Sequence, residues 1–303
     1  YTWADMGFPL MSGYGQRWPD IAVDKNNNLH VVWAGQHAGN TEYTVKYTKH
    51  NGVSWSSWVS VNLVSDWWQW FPKIAIDASN NPHVVWYGAP PSFTWNQIWY
   101  SRYTGSSWTT PTNLLGSDSM SGYYPSIAID SLGKIYVAAN ANLDTVGPGS
   151  YGLRLKVHNG SSWGSWTMIN WINYAFPPCL IMVGGSIYIA YVYGSGSTRP
   201  MRVAQSLTNG ESWLHLGIVP DSTDSSGSHG LCIDDDGRVH AMYRLNGVLR
   251  KATYQDGAWG SATDLITATS GILLSHEIDD SIRYAYSGAN GVMFDQWLIN
   301  QPP

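Results

Sequence analysis

The stretch Trp18–Asp24 (WPDIAVD) decides the fold, because the chain repeats it at an even interval. It returns as FPKIAID at residues 71–77 and as YPSIAID at residues 124–130, so each copy starts 53 residues after the last (18 to 71, 71 to 124). Weaker copies follow at 176–182 (FPPCLIM) and 228–234 (SHGLCID), and an eroded sixth copy ends near Glu277. Self-similarity at this period predicts an array of equivalent structural units.

Each copy opens a repeat with the same order of strand and turn signals. A second apolar run, such as Leu29–Trp33, follows a polar turn, and a third run, such as Tyr43–Tyr47, follows a loop of variable length. A tight glycine turn then leads to a tryptophan, which is expected to open a fourth strand. Five such turns occur, HNGVSW at 50–55, YTGSSW at 103–108, HNGSSW at 158–163, TNGESW at 208–213 and QDGAW at 255–259. Helical spacing of apolar residues is absent, so the chain is predicted to be all-β with four antiparallel strands per repeat.

Radial repetition of four-stranded units predicts a single six-bladed β-propeller domain over residues 1–303. The sixth unit stops before a fourth strand, and Tyr1-Thr2-Trp3 matches Gly257-Ala258-Trp259 of the fifth. The N-terminal strand, from about Thr2 to Phe8, is therefore expected to close the last blade. The expected blades lie at about 17–62, 70–115, 123–170, 175–220, 228–267 and, for the sixth, 272–301 plus 1–10.

The composition excludes several classes of partner. The 303 residues include 18 Trp and 19 Tyr, only 12% are charged, and the formal net charge is −5. Without a cluster of Lys or Arg, a nucleic acid is not an expected partner. No apolar run approaches the roughly 20 residues of a membrane-spanning helix, so membrane insertion is not expected. The chain begins at Tyr1 rather than Met, as after removal of a leader or trimming, and we expect a secreted or cell-surface protein.

No cofactor and no metal are expected. The acidic run Asp234–Gly237 (DDDG) stands where other repeats carry turns such as Asn26–Asn28, so turn chemistry explains it better than calcium binding. The two cysteines, Cys179 and Cys232, are too few for a disulfide framework, although a single bridge between them stays open.

The glycine turns resemble the Asp-box, or bacterial neuraminidase repeat, of the form Ser/Thr-x-Asp-x-Gly-x-Thr-Trp. Four turns fit this pattern in register, and in the first the matching residues are Thr48, Gly52, Ser54 and Trp55. The Asp itself is replaced in all four, by His50, Tyr103, His158 and Thr208. The resemblance implies a sialidase-like β-propeller superfamily with degenerate repeats. In that family the turns are structural and lie opposite the ligand site, which implies that binding belongs to the other face.

The turn tryptophans are interpreted as packing residues, because a large ring at one place in each blade fills the gap between neighbouring sheets. The same interpretation covers Trp33 and Trp86. It also covers the histidines that recur at one position of the second strand, His30, His83 and His240.

The opposite face, built from the second-to-third-strand loops and the segments between blades, is rich in aromatic residues. Flat apolar rings among amides and carboxylates suit a sugar, whose C–H faces stack while its hydroxyls pair with polar groups. The expected ligand-binding residues are Trp18, Trp67, Trp68, Trp70, Trp95, Tyr123, Tyr124, Trp171, Arg17 and His229. Trp18, Phe71, Tyr124 and Phe176 precede the first strand in four blades, and they are expected either to gather around the axis as a site or to plug the channel.

These features favour an extracellular, lectin-like protein that binds an oligosaccharide or polysaccharide. The alternative is a glycan-processing enzyme, either a sialidase-like glycoside hydrolase or a polysaccharide lyase, and a structural surface role is a third interpretation. The sialidase pattern implies three converging arginines, an Arg-Ile-Pro segment and a Tyr/Glu nucleophile pair. No Arg-Ile-Pro occurs here, and the arginines that look placed for the loop face, Arg17, Arg199 and Arg244, do not follow the family spacing. No catalytic residue is singled out. Carboxylates available to a hydrolase are Asp66, Asp118, Asp144, Asp221 and Asp224, and a lyase has His229 or His37 with a tyrosine such as Tyr124.

Overall fold

A computed structural model describes residues 14–61, 67–90, 92–116, 121–142, 151–172, 176–194, 199–222, 229–234, 236–267, 270–275, 281–288 and 291–298. These residues are all-β and contain no helix, and therefore none that is long and apolar enough to cross a membrane. The chain divides into two compact units, Tyr1–Trp171 and Ile172–Pro303. Each is described separately.

The first unit contains three sheets, each of four antiparallel strands in sequence order. Their first strands, β1, β5 and β9, contact one another in succession. The strands are β1 Gln16–Val23, β2 Leu29–His37, β3 Asn40–His50, β4 Val59–Ser60, β5 Gln69–Ile76, β6 Pro82–Gly88, β7 Gln97–Arg102, β8 Thr112–Asn113, β9 Ser121–Ile129, β10 Ile135–Asn142, β11 Tyr151–His158 and β12 Thr167–Ile172.

The second unit contains a four-stranded sheet, a five-stranded sheet and a final sheet of three described strands. The strands are β13 Cys179–Val183, β14 Ser186–Val192, β15 Met201–Ser206, β16 Leu214–Ile218, β17 His229–Ile233, β18 Val239–Leu245, β19 Val248–Gln255, β20 Ala258–Trp259, β21 Thr263–Thr267, β22 Ser270–Ser275, β23 Ser281–Gly288 and β24 Gly291–Leu298. Both β20 and β21 pair with β19, so together they form the outer edge of that sheet. The predicted closing strand at Thr2–Phe8 lies outside the described residues.

The first strand of each sheet in the first unit carries a β-bulge at its aromatic-Pro pair. In the first sheet Arg17 is paired with Ala34 and Asp20 with Val32, so Trp18 and Pro19 together oppose Trp33. Corresponding register shifts occur in β5 and β9. A bulge bends the strand and redirects a side chain, and proline is tolerated there because the ladder is already interrupted.

The turn tryptophans pack between sheets, as the sequence interpretation expected. Trp108 of the second sheet meets Tyr47 of the first edge-on, with ring centroids 5.2 Å apart, and Trp163 of the third meets Tyr100 of the second at 5.1 Å. In the second unit, Nε1 of Trp259 donates a hydrogen bond of 2.8 Å to the carbonyl oxygen of Leu216 in the preceding sheet. These three turn rings therefore join their own sheet to the one before it.

One expectation about these turns is wrong. In the first unit the turn tryptophan does not open the fourth strand. Trp55 makes an isolated bridge with His50, and β4 begins only at Val59. The backbone amide of Ser56 still donates to the carbonyl of Lys49, at 2.8 Å. The hairpin therefore continues for one bond past the tryptophan before the ladder breaks.

The recurring histidines are buried members of hydrogen-bonded groups. His30 lies between Asp24 (Nε2 to Oδ2, 3.1 Å) and Tyr47 (Nδ1 to Oη, 2.8 Å). His83 repeats this with Asp77 and Tyr100, and His240 with Asp234 and Thr253. Because these histidines are buried and bonded to residues of their own sheets, they agree with the packing interpretation.

Burial lowers the pKa of these histidines, and the bond to Asp only partly offsets it. For Asp24, burial alone would raise the pKa of the carboxyl group. Hydrogen bonds from Asn28, His30 and backbone amides outweigh burial and hold that pKa well below its usual range. The resting pair is therefore a neutral imidazole and a carboxylate.

The two cysteines are both free thiols. Cys232 is buried in β17, and Cys179 is half-buried at the start of β13. The bridge left open by the sequence is not formed in this structure.

Candidate functional site

The candidate site is a continuous cluster of rings in the first unit, called here the aromatic face. It combines residues of the bulged first strands with residues near the ends of the second and third strands. Its members are Trp18, Tyr43, Trp68, Trp70, Phe71, Tyr87, Tyr123, Tyr124 and Tyr151.

The centre of the aromatic face is a row formed by the bulge residues of the three sheets. Trp18 stacks on Phe71 with centroids 4.5 Å apart and an interplanar angle of 22°. Phe71 meets Tyr124 edge-on at 4.8 Å. Three of the four rings that were expected to gather are therefore in contact, whereas the fourth, Phe176, belongs to the second unit.

Two groups of rings extend this row. Tyr43 contacts Trp18 at 6.0 Å and Trp68 at 5.3 Å, and Trp68 reaches Trp70 at 6.0 Å. Beyond Tyr124, the row continues through Tyr123 to Tyr151, with centroids 6.3 and 5.8 Å apart. Trp68 is 43% exposed and the central rings are half-buried, so solvent reaches the outer part of the aromatic face.

The three central rings are held in a strained backbone conformation. Trp18, Phe71 and Tyr124 have φ angles of 52°, 49° and 51°. Bulky residues seldom adopt left-handed backbone angles, which cost of order 1–3 kcal/mol each. The same angle at the same place in three sheets indicates that the surrounding structure enforces it, as is common where binding geometry is fixed in advance.

The charged group on the aromatic face is Arg17. Its guanidinium carbon lies 5.5 Å from the ring centroid of Tyr43 and 5.9 Å from that of Trp18, within cation–π distance. Asp20 is already paired, because it accepts from Lys73 Nζ and from the backbone amide of Ile74, both at 2.9 Å. This carboxylate joins β1 to β5 beside the stacked rings.

Two tyrosines of the aromatic face, Tyr87 and Tyr123, have pKa values raised above that of a free phenol. Burial raises the pKa of Tyr87 far above its usual range, and Tyr124 and Tyr123 raise it further. Burial also raises the pKa of Tyr123, which shares hydrogen bonds with Asn96 and Tyr151. These hydroxyls are suited to hydrogen bonding with a ligand rather than to acting as phenolate bases.

The structure separates the residues that were predicted to bind ligand. Trp18, Trp68, Trp70, Tyr123, Tyr124 and Arg17 come together on the aromatic face. Trp95 and Trp171 are each 52% exposed, and Trp171 lies 5.9 Å from the guanidinium carbon of Arg154. His229 begins β17 in the second unit.

Trp67 does not fit its expected role. Its side chain is only 4% exposed and packs edge-on against Trp99 at 5.2 Å, in the core cluster that includes Trp86. A ring held there has no face to offer a ligand, so Trp67 is a core residue.

Three members of the aromatic face, Tyr43, Tyr87 and Tyr151, were not predicted. Each lies at the end of a strand, where the sequence indicates a strand residue but not the direction of its ring. A usable signal is present in Tyr87, which directly follows the buried Trp86 at the loop end of β6.

Four of the five candidate carboxylates cannot be compared with the site. Asp66, Asp118, Asp144 and Asp224 lie outside the described residues. Asp221 is exposed in the second unit, and Nδ1 of His37 lies 3.2 Å from Nζ of Lys46. Within the described part of the chain, no group of three or more His, Cys, Asp and Glu side chains is arranged to hold a metal ion.

Comparison with known proteins finds no matching family and no matching curated protein. Solved structures do match over nearly the whole chain. The α-L-arabinanase of Penicillium chrysogenum, solved with arabinobiose, has a TM-score of 0.71 at 13% identity and covers 96% of both chains. The fold is a β-propeller.

Two further solved structures with this fold act on other glycans. The intramolecular trans-sialidase of Ruminococcus gnavus, solved with oseltamivir carboxylate, has a TM-score of 0.60 at 10% identity and covers 95% of this chain and 96% of its own. A polysaccharide lyase of family PL25, an ulvan lyase, has a TM-score of 0.57 at 13% identity and covers 92% of this chain and 78% of its own. Glycoside hydrolases and a lyase, the two enzyme classes named from the sequence, are thus among the structural neighbours.

Proposed function

We propose that this chain is a glycan-processing enzyme, a glycoside hydrolase or polysaccharide lyase, whose aromatic face holds the saccharide. The observation that carries the proposal is the row Trp18–Phe71–Tyr124, three strained rings in contact across three sheets. A purely structural plug needs bulk but no enforced backbone strain. The glycan-active structural neighbours support this class over simple binding.

The chemistry of the aromatic face suits a saccharide chain. The rings offer apolar surfaces to the C–H faces of sugar units, while the phenol groups of Tyr87 and Tyr123 and the guanidinium of Arg17 offer hydrogen bonds. The row from Trp68 to Tyr151 crosses three sheets, which favours an oligosaccharide over a single sugar. The acid and base would come from the loops that carry Asp66, Asp118 and Asp144.

The second candidate is lectin-like binding without catalysis. It is favoured by the charged group that contacts the described rings, because the guanidinium of Arg17 donates hydrogen bonds and accepts none, which suits holding a ligand.

We also propose the finer architecture expected from the sequence. It is a six-bladed ring of the Asp-box type, closed by the N-terminal strand and acting outside the cell. The six described sheets at the predicted intervals support the blade count.

Tryptophan fluorescence titrated with arabinan, sialylated and uronate-containing oligosaccharides tests the proposal. We expect a shift with at least one of them, weakened at least tenfold by Trp18→Ala and unchanged by Trp213→Phe at a turn of the second unit. Release of reducing ends, or ultraviolet absorbance from an unsaturated uronate, then identifies a hydrolase or a lyase. Binding without either product supports the lectin-like candidate, and no shift with any saccharide rejects both.

A further inference from the structure

A pocket that is separate from the aromatic face lies in the second unit, between the sheets β13–β16 and β17–β21. It has a volume of about 410 Å³, within the range of small-molecule sites. Its floor is formed by buried Tyr188, Leu216 and Val239. Its walls and rim are polar and include Gln205, Arg238, Tyr254, Asp236, Gln255 and Asp256.

The repeat explains why this space is open. In the first two sheets, the residue before the Ser or Thr that begins the turn motif is Tyr47 or Tyr100. Both tyrosines fill the gap to the next sheet by packing against its turn tryptophan. At the same place in the fourth sheet, before Ser206, the chain has Gln205. Gln205 is paired with Tyr188, whereas Tyr47 and Tyr100 are paired with Val32 and Val85, so in this sheet the ring lies on the neighbouring strand and the glutamine lines the pocket.

Hydrogen bonds and ring contacts within the protein fix the side chains that line the pocket. Nε2 of Gln205 donates a 2.8 Å hydrogen bond to Oη of Tyr188. Tyr254 meets Trp259 edge-on at 5.3 Å, and Trp259 is anchored by its bond to Leu216. Fixed aromatic and amide groups reduce the entropy lost when a ligand binds.

The charges of the pocket restrict its ligand. Arg238 is engaged by Asp236, with Nη2 and Oδ2 2.8 Å apart, and by Asp234. Asp256 adds a second carboxylate to the lining, so the net charge of the lining is negative. An anionic ligand is therefore repelled, whereas hydroxyl groups find both acceptors and donors.

We propose that this pocket binds one neutral monosaccharide unit and rejects uronates. This site is independent of the aromatic face, and neither its residues nor its ligand class depends on that proposed function. The tyrosines provide the apolar surface, and the carboxylates, amides and guanidinium bind the hydroxyl groups.

The test titrates L-arabinose, D-galactose and D-glucose, and then D-galacturonate and D-glucuronate, against the full chain by calorimetry and ligand-detected NMR. Gln205→Tyr restores the ring found in the first two sheets and should weaken binding of the neutral sugar at least tenfold. Val53→Ala, at an exposed turn of the first unit, is the control and should leave binding unchanged. Trp18→Ala separates the two sites, because it should leave the part of the binding that depends on Gln205 unchanged. The double variant Asp236→Asn and Asp256→Asn should lower the ratio of the affinity for neutral sugars to the affinity for uronates at least threefold.

The outcomes distinguish the two sites. Neutral-sugar binding lost in Gln205→Tyr and kept in Trp18→Ala supports the pocket, even if no oligosaccharide binds the aromatic face. Neutral-sugar binding that is lost in Trp18→Ala but kept in Gln205→Tyr overturns the proposal for the pocket. The absence of binding to any neutral sugar also overturns it. If Gln205→Tyr does not fold, the double Asp variant decides, and an unchanged preference over uronates counts against the pocket.

Discussion

Two neighbouring tryptophans, Trp67 and Trp68, show how sharply roles divide at the scale of a single residue. One packs in the core and the other faces solvent on the aromatic face, although both follow Asp66 in the same loop. The sequence predicts the same ligand-binding role for both, because it does not show which of two adjacent rings is directed into the core.

We therefore predict opposite effects for two matched substitutions. Trp67→Ala should cost about 3–5 kcal/mol of unfolding free energy, as expected for a buried large ring, when measured by denaturant titration. Trp68→Ala should cost clearly less, about 1 kcal/mol, since its side chain is 43% exposed, yet weaken saccharide binding. Equal destabilisation by both would contradict the positions described for them.

The buried histidines give the stability of the fold a predictable pH dependence. Because the folded pKa of His83 is lowered, the unfolded chain binds more protons below its own pKa of about 6.5. The stabilisation is thus present above pH 6.5 and is lost as the pH falls toward the folded pKa. The free energy of unfolding should decrease between pH 7 and pH 5.

Replacing His83 tests this explanation with a residue that the fold already accepts at that position. In the third sheet the corresponding residue is Tyr136, whose Oη donates to Asp130 at 3.1 Å. The variant His83→Tyr should fold and should show a shallower decrease in unfolding free energy from pH 7 to pH 5. A slope identical to that of the wild type would assign the pH dependence to other groups.

At the scale of the element, the strand order within each repeat was predictable, and the bulges were not. The sequence shows an aromatic-Pro pair in the first strand of each sheet of the first unit but gives no sign that two residues there oppose one. The bulges direct the central rings into one row and bring strand-end tyrosines such as Tyr87 beside them. The site therefore contains residues that strand periodicity alone leaves unassigned.

The close approach at Gly88 shows how the strands support the aromatic face. A Cβ atom at this position would lie 2.3 Å from the carbonyl oxygen of Trp68 and 2.8 Å from the ring of Trp67. We predict that Gly88→Ala destabilises the fold by about 1–3 kcal/mol, in the range of overpacked cores, and also weakens saccharide binding. The backbone next to Trp68 must shift to relieve the contact.

Gly260 provides the control for this substitution. A Cβ atom there would meet only the carbonyl oxygen of Thr253, at 3.6 Å, an ordinary van der Waals distance. Gly260→Ala should change the thermal midpoint little, and a loss as large as that of Gly88→Ala would show that any added methyl group disturbs these sheets.

At the scale of the whole molecule, the period of the repeat was sufficient to predict the fold class. The described strands form antiparallel meanders, and the solved structures share the propeller fold. The site was harder to predict from the sequence than the fold, because a binding face combines residues from different repeats. The separation of Trp18 and Tyr124 along the sequence does not show that they lie close together in the structure.

The proposed closure of the ring is testable by truncation. Removing residues 1–8 deletes the strand expected to complete the sheet of β22–β24 and should lower the thermal midpoint far more than removing Pro302 and Pro303. An exposed sheet edge should also promote aggregation. Equal midpoints for the two truncations would mean that the last sheet is not completed by the N-terminus.

The glutamine at position 205 has a consequence for how such molecules acquire new sites. A repeated architecture solves the same packing problem several times, so one copy can change its side chains while the other copies keep the scaffold rigid. No insertion and no new loop is needed, since a glutamine and a tyrosine at two paired positions replace the tyrosine and valine of the first two sheets. In proteins of this kind, the repeat whose packing residues differ from those of the other repeats is as informative as the one that has gained a motif.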